Sequence, residues 1–261
     1  MHGLGNDFVI IDGRDACVEI TSLRASALAN RHTGIGCDQL IVIEPSKRAT
    51  AKMRIFNADG SEVGACGNAT RCVATILGDG ATIETAGGIL KAETDGHDAT
   101  IDMGKPHFAW DDIPLAYPMD TSAMPVAWDD LKAPMAVNVG NPHAIFFVKD
   151  TDAVDLAALG PLIEHDPLFP ERVNVNVAEV TGDHSIKLRV WERGAGLTLA
   201  CGTGACASAV AAIKQGKVQS PVLVALPGGT LNIEWAPGEH IRMTGPATLV
   251  FEGEIDWNNF P

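Results

Sequence analysis

No apolar run in this chain of 261 residues approaches the roughly 20 residues that a membrane span needs. The N-terminus, MHGLGNDFVIID, has no charged region followed by a long apolar stretch, so no secretory leader is expected. Positive charge is scarce. The 19 Lys and Arg stand against 33 Asp and Glu, a formal net charge of −14, which argues against a protein that grips nucleic-acid phosphates. There is no Cys-x-x-Cys pair, and 6 cysteines in a chain this long are too sparse for a disulfide scaffold. No metal site is therefore expected. A phosphate-binding GxxxxGK(S/T) motif is missing, and Gly3-x-Gly5 is too short for a dinucleotide loop. Nothing recommends a pyridoxal-phosphate lysine either, so no cofactor is expected. What is present is a packed core, with 46% hydrophobic and 20% charged residues. A soluble, cytoplasmic protein acting on a small molecule fits these limits, with neither nucleic acid nor membrane as partner.

The chain repeats itself. MRIFNADGSEVGACGNATRCVATIL, from Met53, lines up without a gap on LRVWERGAGLTLACGTGACASAVAA, from Leu188, an offset of 135. Arg54 meets Arg189, Cys66 meets Cys201 and Gly67 meets Gly202. The same offset pairs Gly5-Asn6 with Gly140-Asn141, and a shift of 141 pairs Ala86-Gly87-Gly88 with Pro227-Gly228-Gly229. Three matches in one order argue for a duplicated domain. The boundary is expected near Lys105–Pro134, which collects Pro106, Pro114, Pro118, Pro125 and Pro134 as a connector would. This predicts an N-terminal half over 1–111, joined by a C-terminal strand at 250–261, and a C-terminal half over 112–249.

Most of the chain reads as strands. Phe8–Ile11, Leu40–Ile43 and Ala144–Val148 are short buried runs, and Val173, Val175 and Val177 alternate with Asn174 and Asn176 as in a half-buried strand. Two helices occupy matching places in the repeat. Cys201–Ile213 has no charge and should be buried all round, and Cys66–Leu77 carries only Arg71. Gly78 and Gly216 supply stop signals. The predicted fold is α+β, with two pseudo-symmetric domains, each a β-barrel-like curved sheet around a central helix, and an active site in the cleft between them.

Cys66 and Cys201 each open the helix of their own half. A helix start concentrates unpaired N–H groups and partial positive charge, which lowers a thiol pKa and can hold a carboxylate. Two such thiols facing each other suit inversion at the α-carbon of an amino acid, one thiolate removing the proton and the opposite thiol returning one to the other face. Cys72 and Cys206, set inside the helices, and Cys17 and Cys37 read as structural.

These residues resemble the diaminopimelate epimerase family. The match runs through HGLGNDF (2–8), GCDQL (36–40), FNADGSEVGACGN (56–68), GNPH (140–143), ERVN (171–174), WERGAGLTLACGTGACA (191–207) and LPGG (226–229). The resemblance implies a cofactor-independent isomerase that interconverts LL- and meso-diaminopimelate in lysine and cell-wall precursor synthesis, with Cys66 and Cys201 as acid/base thiols. It further implies that the N–H groups of Gly67-Asn68 and Gly202-Thr203 hold the α-carboxylate. Asn6, Gln39, Asn57, Asn141, Asn174, Glu192 and Arg193 become substrate contacts, with Arg193 on the distal carboxylate. Glu192 binds the reacting ammonium or assists the cysteines, and His143 takes part in catalysis by tuning a thiol. A homodimer is implied, using the segment around Phe251. Ala69 replaces a glycine common in the family, Thr203 stands where serine is also common, and the strand that relatives place before HGLGN is shortened or missing.

Three other readings use the same residues. The first is racemisation of another amino acid, such as histidine or proline, on the same scaffold. The second is a redox sensor whose two thiols close a disulfide under oxidant. The third is isomerisation of a related compound, which does not need a cysteine at both helix starts.

Overall fold

The structure, a computed structural model, describes residues 1–15 and 18–260; Cys17 lies outside them. It divides into two compact units, one formed by Met1–Asp102 with Thr244–Pro261 and the other by Met103–Met243.

In the first unit the strands are β1 (His2–Gly3), β2 (Asn6–Asp12), β3 (Gln39–Glu44), β4 (Ala51–Asn57), β5 (Glu62–Val63), β6 (Thr82–Thr85), β7 (Gly88–Thr94) and β8 (Asp98–Asp102). They pair in the order β1-β2-β3-β4-β6-β7-β8, with β5 on β4. The β2/β3 and β4/β6 pairs are parallel, and β3/β4 and β6/β7 are antiparallel. Helix α1 (Ser22–Ala29) packs on β3 and β4, while α2 (Gly67–Leu77) packs on β1, β2, β7 and β8. The α1 side is apolar: Ala25, Leu28, Leu40, Val42 and Phe56 form its core, and Trp257 and Phe260 of the returning chain pack against it.

The second unit repeats this plan. Its strands are β9 (Ala127–Trp128), β10 (Leu131–Lys132), β11 (Met135–Asn138), β12 (Pro142–Val148), β13 (Asn174–Gly182), β14 (Ser185–Glu192), β15 (Gly196–Leu197), β16 (Val222–Leu226) and β17 (Gly229–Glu234). Strand β12 pairs parallel with β13, β13 antiparallel with β14, β14 parallel with β16, and β16 antiparallel with β17. That is the order and sense of β2, β3, β4, β6 and β7. Helix α3 (Leu156–Glu164) takes the place of α1, and α4 (Gly202–Lys214) touches β11, β12, β13, β14, β16 and β17. The duplication written in the sequence is therefore a duplication of fold.

Both central helices begin one residue after their cysteine, because Cys66 and Cys201 are N-caps with extended backbone (φ −153° and −120°). Gly78 caps α2 at φ 91°. Along α4 every residue from Gly202 to Ala212 except Thr203 is buried, as its lack of charge requires.

Three expectations need correction. The segment 250–261, expected as a strand, carries none among its described residues: it is irregular apart from a short 3-10 helix at Trp257–Asn259, and the returning strand lies earlier, at Arg242–Pro246. The proline-bearing stretch expected as a connector is built into the second unit, with Ile113, Leu115, Met124 and Leu131 buried in its core. Strand β13 is not half-buried. Val173, Val175 and Val177 face the α3 core, and Asn174 and Asn176 are buried on the other face, the one that carries α4. At the N-terminus the two-residue β1 pairs with β2, and His2 exchanges both backbone hydrogen bonds with Thr248.

Candidate active site

The strand senses bring polar ends together. Parallel β2 and β3 start at the same edge of their sheet, and antiparallel β4 finishes there. Asn6 and Gln39 open β2 and β3, Asn57 closes β4, and Cys66 caps the helix that follows. In the second unit the repeat-equivalent places are held by Asn141, Asn174, Glu192 and Cys201. Every residue of this set that the sequence singled out in one half thus has a counterpart in the other.

In the first unit Asn6, Cys66 and Asn68 form one cluster. The Cys66 thiol donates to Asn6 Oδ1 at 3.8 Å, and Asn68 Nδ2 donates to the same oxygen at 3.3 Å. Asn6 Nδ2 in turn donates to Asp38 Oδ2 at 2.9 Å, and Arg31 lies 2.7 Å from both Asp38 and Asp7. Asn68 is buried and receives Arg71 Nη2 at 2.9 Å. Gly3 has to be small, since a Cβ there would lie 3.0 Å from that guanidinium. Gln39 and Asn57 form a separate cross-strand pair, Nε2 to Oδ1 at 2.9 Å. Gly67 starts the helix, and its first turn has N–H groups without an intrahelical partner. Ala69 is buried in that turn without disturbing it.

The second unit gathers three groups. Cys201 Sγ accepts the Gly204 N–H at 3.3 Å, with the Thr203 hydroxyl at 3.5 Å. Glu192 accepts from the Thr198 hydroxyl at 2.5 Å and from the Cys201 thiol. Asn174 bridges to Arg193 by accepting its backbone N–H at 2.9 Å, while Arg193 Nη1 donates to Glu171 O. The His143 ring lies between the amides of Asn141 and Asn176, at 3.0 and 3.1 Å. Gly204, the counterpart of Ala69, cannot be alanine without crowding: a Cβ would sit 3.2 Å from Cys201 Sγ and 3.3 Å from Asn176 Nδ2.

Electrostatics alter one expectation. A helix start alone would lower the Cys201 thiol pKa, yet Cys201 is pushed well above its usual value. Burial is the largest cause and the Glu192 charge adds to it, outweighing the Thr203 and Gly204 hydrogen bonds. Glu192 is itself raised by burial, against the Thr198 and Cys201 hydrogen bonds. Cys201 therefore holds its proton beside the carboxylate.

His143 is fully buried, and burial lowers its pKa from 6.5 to about 4. The unfolded chain takes up a proton at this position below 6.5, whereas the folded chain does so only near 4. This residue's contribution to stability is complete above 6.5 and is lost as pH falls through that window. Urea unfolding at stepped pH should show the loss, and His143→Gln should flatten it; equal slopes would remove His143 from the acid response.

Sequence alone leaves Glu164, Asp38 and Thr198 unmarked. Asn176 was visible as the second asparagine on one strand face, two residues from Asn174. The Glu164 carboxylate is buried at the end of α3 and accepts from Trp191 Nε1 at 2.7 Å and Gly194 N at 3.0 Å, which pins the turn carrying Glu192 and Arg193. Gly160, one turn earlier, faces Trp191 so closely that a Cβ would lie 2.5 Å from the indole. Only the folded chain reveals that pairing.

Comparison with known proteins agrees with this plan. The family model for diaminopimelate epimerase matches residues 1–109 and 135–250. A diaminopimelate epimerase of Sphingopyxis alaskensis is 65% identical over 260 residues, covering 100% of this chain and 97% of the relative. One of Zymomonas mobilis is 58% identical over 261 residues, covering 100% and 97%. Among solved structures, a probable proline racemase of Agrobacterium radiobacter, with bound carbonate, aligns at TM-score 0.64 and 16% identity, covering 99% of this chain and 94% of that one. A phenazine biosynthesis protein of the PhzF family from Bacillus anthracis aligns at 0.66 and 17%, covering 94% and 92%. At these identities the two structures speak for the fold alone.

Proposed function

Because this chain belongs to the diaminopimelate epimerase family, we propose that it interconverts LL- and meso-diaminopimelate through two thiols, Cys66 and Cys201. The observation that carries the reading is that both cysteines are N-caps at equivalent places of a duplicated fold. Inversion at a carbon needs a base on one face and an acid on the other, and the chain supplies one thiol from each copy of the repeat. One thiolate takes the α-proton, and the other thiol delivers a proton to the opposite face. In the reverse direction the two thiols exchange roles.

The carbanion is the costly species. Helix-start N–H groups of Gly67 and Asn68, and of Gly202 and Thr203, would hold the α-carboxylate and take up the charge that spreads onto it. Cys201 begins as the protonated partner beside Glu192. When it gives up its proton, the Gly204 N–H and the Thr203 hydroxyl receive the thiolate, and the Glu192 charge makes that thiolate ready to be protonated again. Diaminopimelate carries two ammonium and two carboxylate groups, so a site for it needs amides, one carboxylate and one guanidinium. Asn6, Gln39, Asn57, Asn141, Asn174 and Glu192 meet the first two needs. Arg193 suits the distal carboxylate.

The same reading places the enzyme in lysine and peptidoglycan precursor synthesis, in the cytoplasm, as a homodimer. In support, no helix of the described residues is long and apolar enough to cross a membrane, and Leu249, Val250 and Phe251 are exposed together.

Proton NMR of the reduced protein with LL-diaminopimelate in D2O tests the reading. The α-proton signal should vanish as the meso isomer forms. Exchange with another amino acid alone would keep the mechanism and overturn the substrate. No exchange with any amino acid would sink the epimerase reading.

A further inference from the structure

The Asn176 amide cannot be turned over. Its Nδ2 lies 2.9 Å from Gly204 O and 2.9 Å from Ser208 Oγ, and a backbone carbonyl only accepts. Oδ1 is therefore the atom that meets His143 Nδ1 at 3.1 Å, and Nδ1 must carry a hydrogen. Among the described residues, the ring nitrogens meet only the two amides. The ring is fully buried, and the charge acting on it is the Arg193 cation, so it is neutral. A neutral imidazole has one N–H, which leaves Nε2 as a lone pair 3.0 Å from the Asn141 amide. An oxygen facing that lone pair is no hydrogen bond. Nitrogen and oxygen of an amide are alike in shape, and the network decides between them.

We infer that Gly204, Asn176 and His143 form an orienting relay that turns Asn141 so that Nδ2 bonds the imidazole and Oδ1 faces the site, making Asn141 an acceptor for a substrate ammonium rather than a donor to a carboxylate. The first unit supports this independently. There the repeat-equivalent amide, Asn6, gives its Nδ2 to the Asp38 carboxylate, and its Oδ1 turns towards Cys66 and Asn68. An acceptor stands behind each amide, a carboxylate in one half and an imidazole nitrogen in the other. Both equivalent asparagines then present the same atom. His143 is a positioning residue that acts through Asn141, and the relay starts in the first turn of the helix that Cys201 caps. The ammonium as ligand rests on the function proposed above; the orientation of the amide does not.

Two measurements on the full chain test the relay. Long-range proton–nitrogen correlation of the 15N-labelled protein near neutral pH, with His143→Gln for assignment, should show the Nδ1–H tautomer. A ring protonated at Nε2 alone, or at both nitrogens, overturns the inference. In the kinetic test, His143→Leu should raise KM for diaminopimelate roughly tenfold or more, with a smaller fall in kcat. His143→Gln, which offers both a donor and an acceptor, should recover most of that loss. A glutamine variant no better than leucine would refute positioning through Asn141. A wild-type protein without epimerase activity that still shows the Nδ1–H tautomer would fail the proposed function and leave the relay standing.

Discussion

Cys66→Ala and Cys201→Ala should each abolish interconversion of LL- and meso-diaminopimelate, lowering kcat/KM by about 10³-fold or more. The two losses should be of similar size, because inversion needs both a proton acceptor and a proton donor and neither alanine supplies one. They should also be far from additive: the double variant has little left to lose once one face is dead. Folding should survive in both. Cys66 is partly exposed at a helix cap and makes no capping hydrogen bond through its side chain. Cys201 is buried, so alanine there leaves a small void and frees Glu192 from one hydrogen bond. Exchange in D2O, chiral analysis of the product and circular dichroism of each variant check this together. A folded variant that keeps more than about a tenth of wild-type turnover would remove that cysteine from the acid/base pair.

The second large effect is expected at Arg71. This guanidinium is fully buried, one turn inside α2, an unusual place for a charge. Its Nη2 donates to Asn68 Oδ1 and its Nε to Pro246 O, so one side chain ties the cysteine-bearing helix to the returning C-terminal chain. Leucine would fill part of the volume and donate nothing. Buried acceptors left without a donor cost about 1–3 kcal/mol each, so Arg71→Leu should lose about 2–4 kcal/mol. In a chain of this size that lowers Tm by roughly 10 °C. Activity should fall as well, since Asn68 loses the contact that orients it against Asn6 and Cys66. Calorimetry of Arg71→Leu beside Arg71→Lys reads the effect, with lysine intermediate because it keeps the charge but not the fork. A leucine variant within about 1 kcal/mol of wild type would show that the anchor is not needed.

Much of the architecture was open to reading in the chain. Local signals repeat at a constant offset, so Asn6 and Asn141, or Cys66 and Cys201, could be paired without knowing where they lie. The all-small, uncharged run from Cys201 required a helix buried all round, and short β-branched runs required strands on either side of it. Glycines at 78 and 216 ended the helices because their positive φ, 91° and 67°, suits a residue without Cβ. These features depend on neighbours along the chain, which a sequence displays directly.

Other features depend on neighbours in space. The sequence offered Asn174 and Asn176 as equals on one strand face, and only packing against α4 gave one to Arg193 and the other to His143 and Gly204. Glu164 looked like an ordinary helix-end carboxylate until Trp191 and Gly194 closed over it. The proline-rich stretch from Lys105 looked like a connector, although its apolar residues complete a core. Above all, a cysteine at a helix start was expected to have a lowered pKa, and the folded Cys201 has a raised one. The helix contributes partial charges that fall off within a turn. Burial removes water from every side, and the neighbouring Glu192 carboxylate adds to it by disfavouring the thiolate. The chain by itself determined which residues recur and which elements they open; what surrounds each of them, and so its protonation and its hydrogen-bond partners, was decided by tertiary structure, because desolvation and charge act through space and not along the sequence.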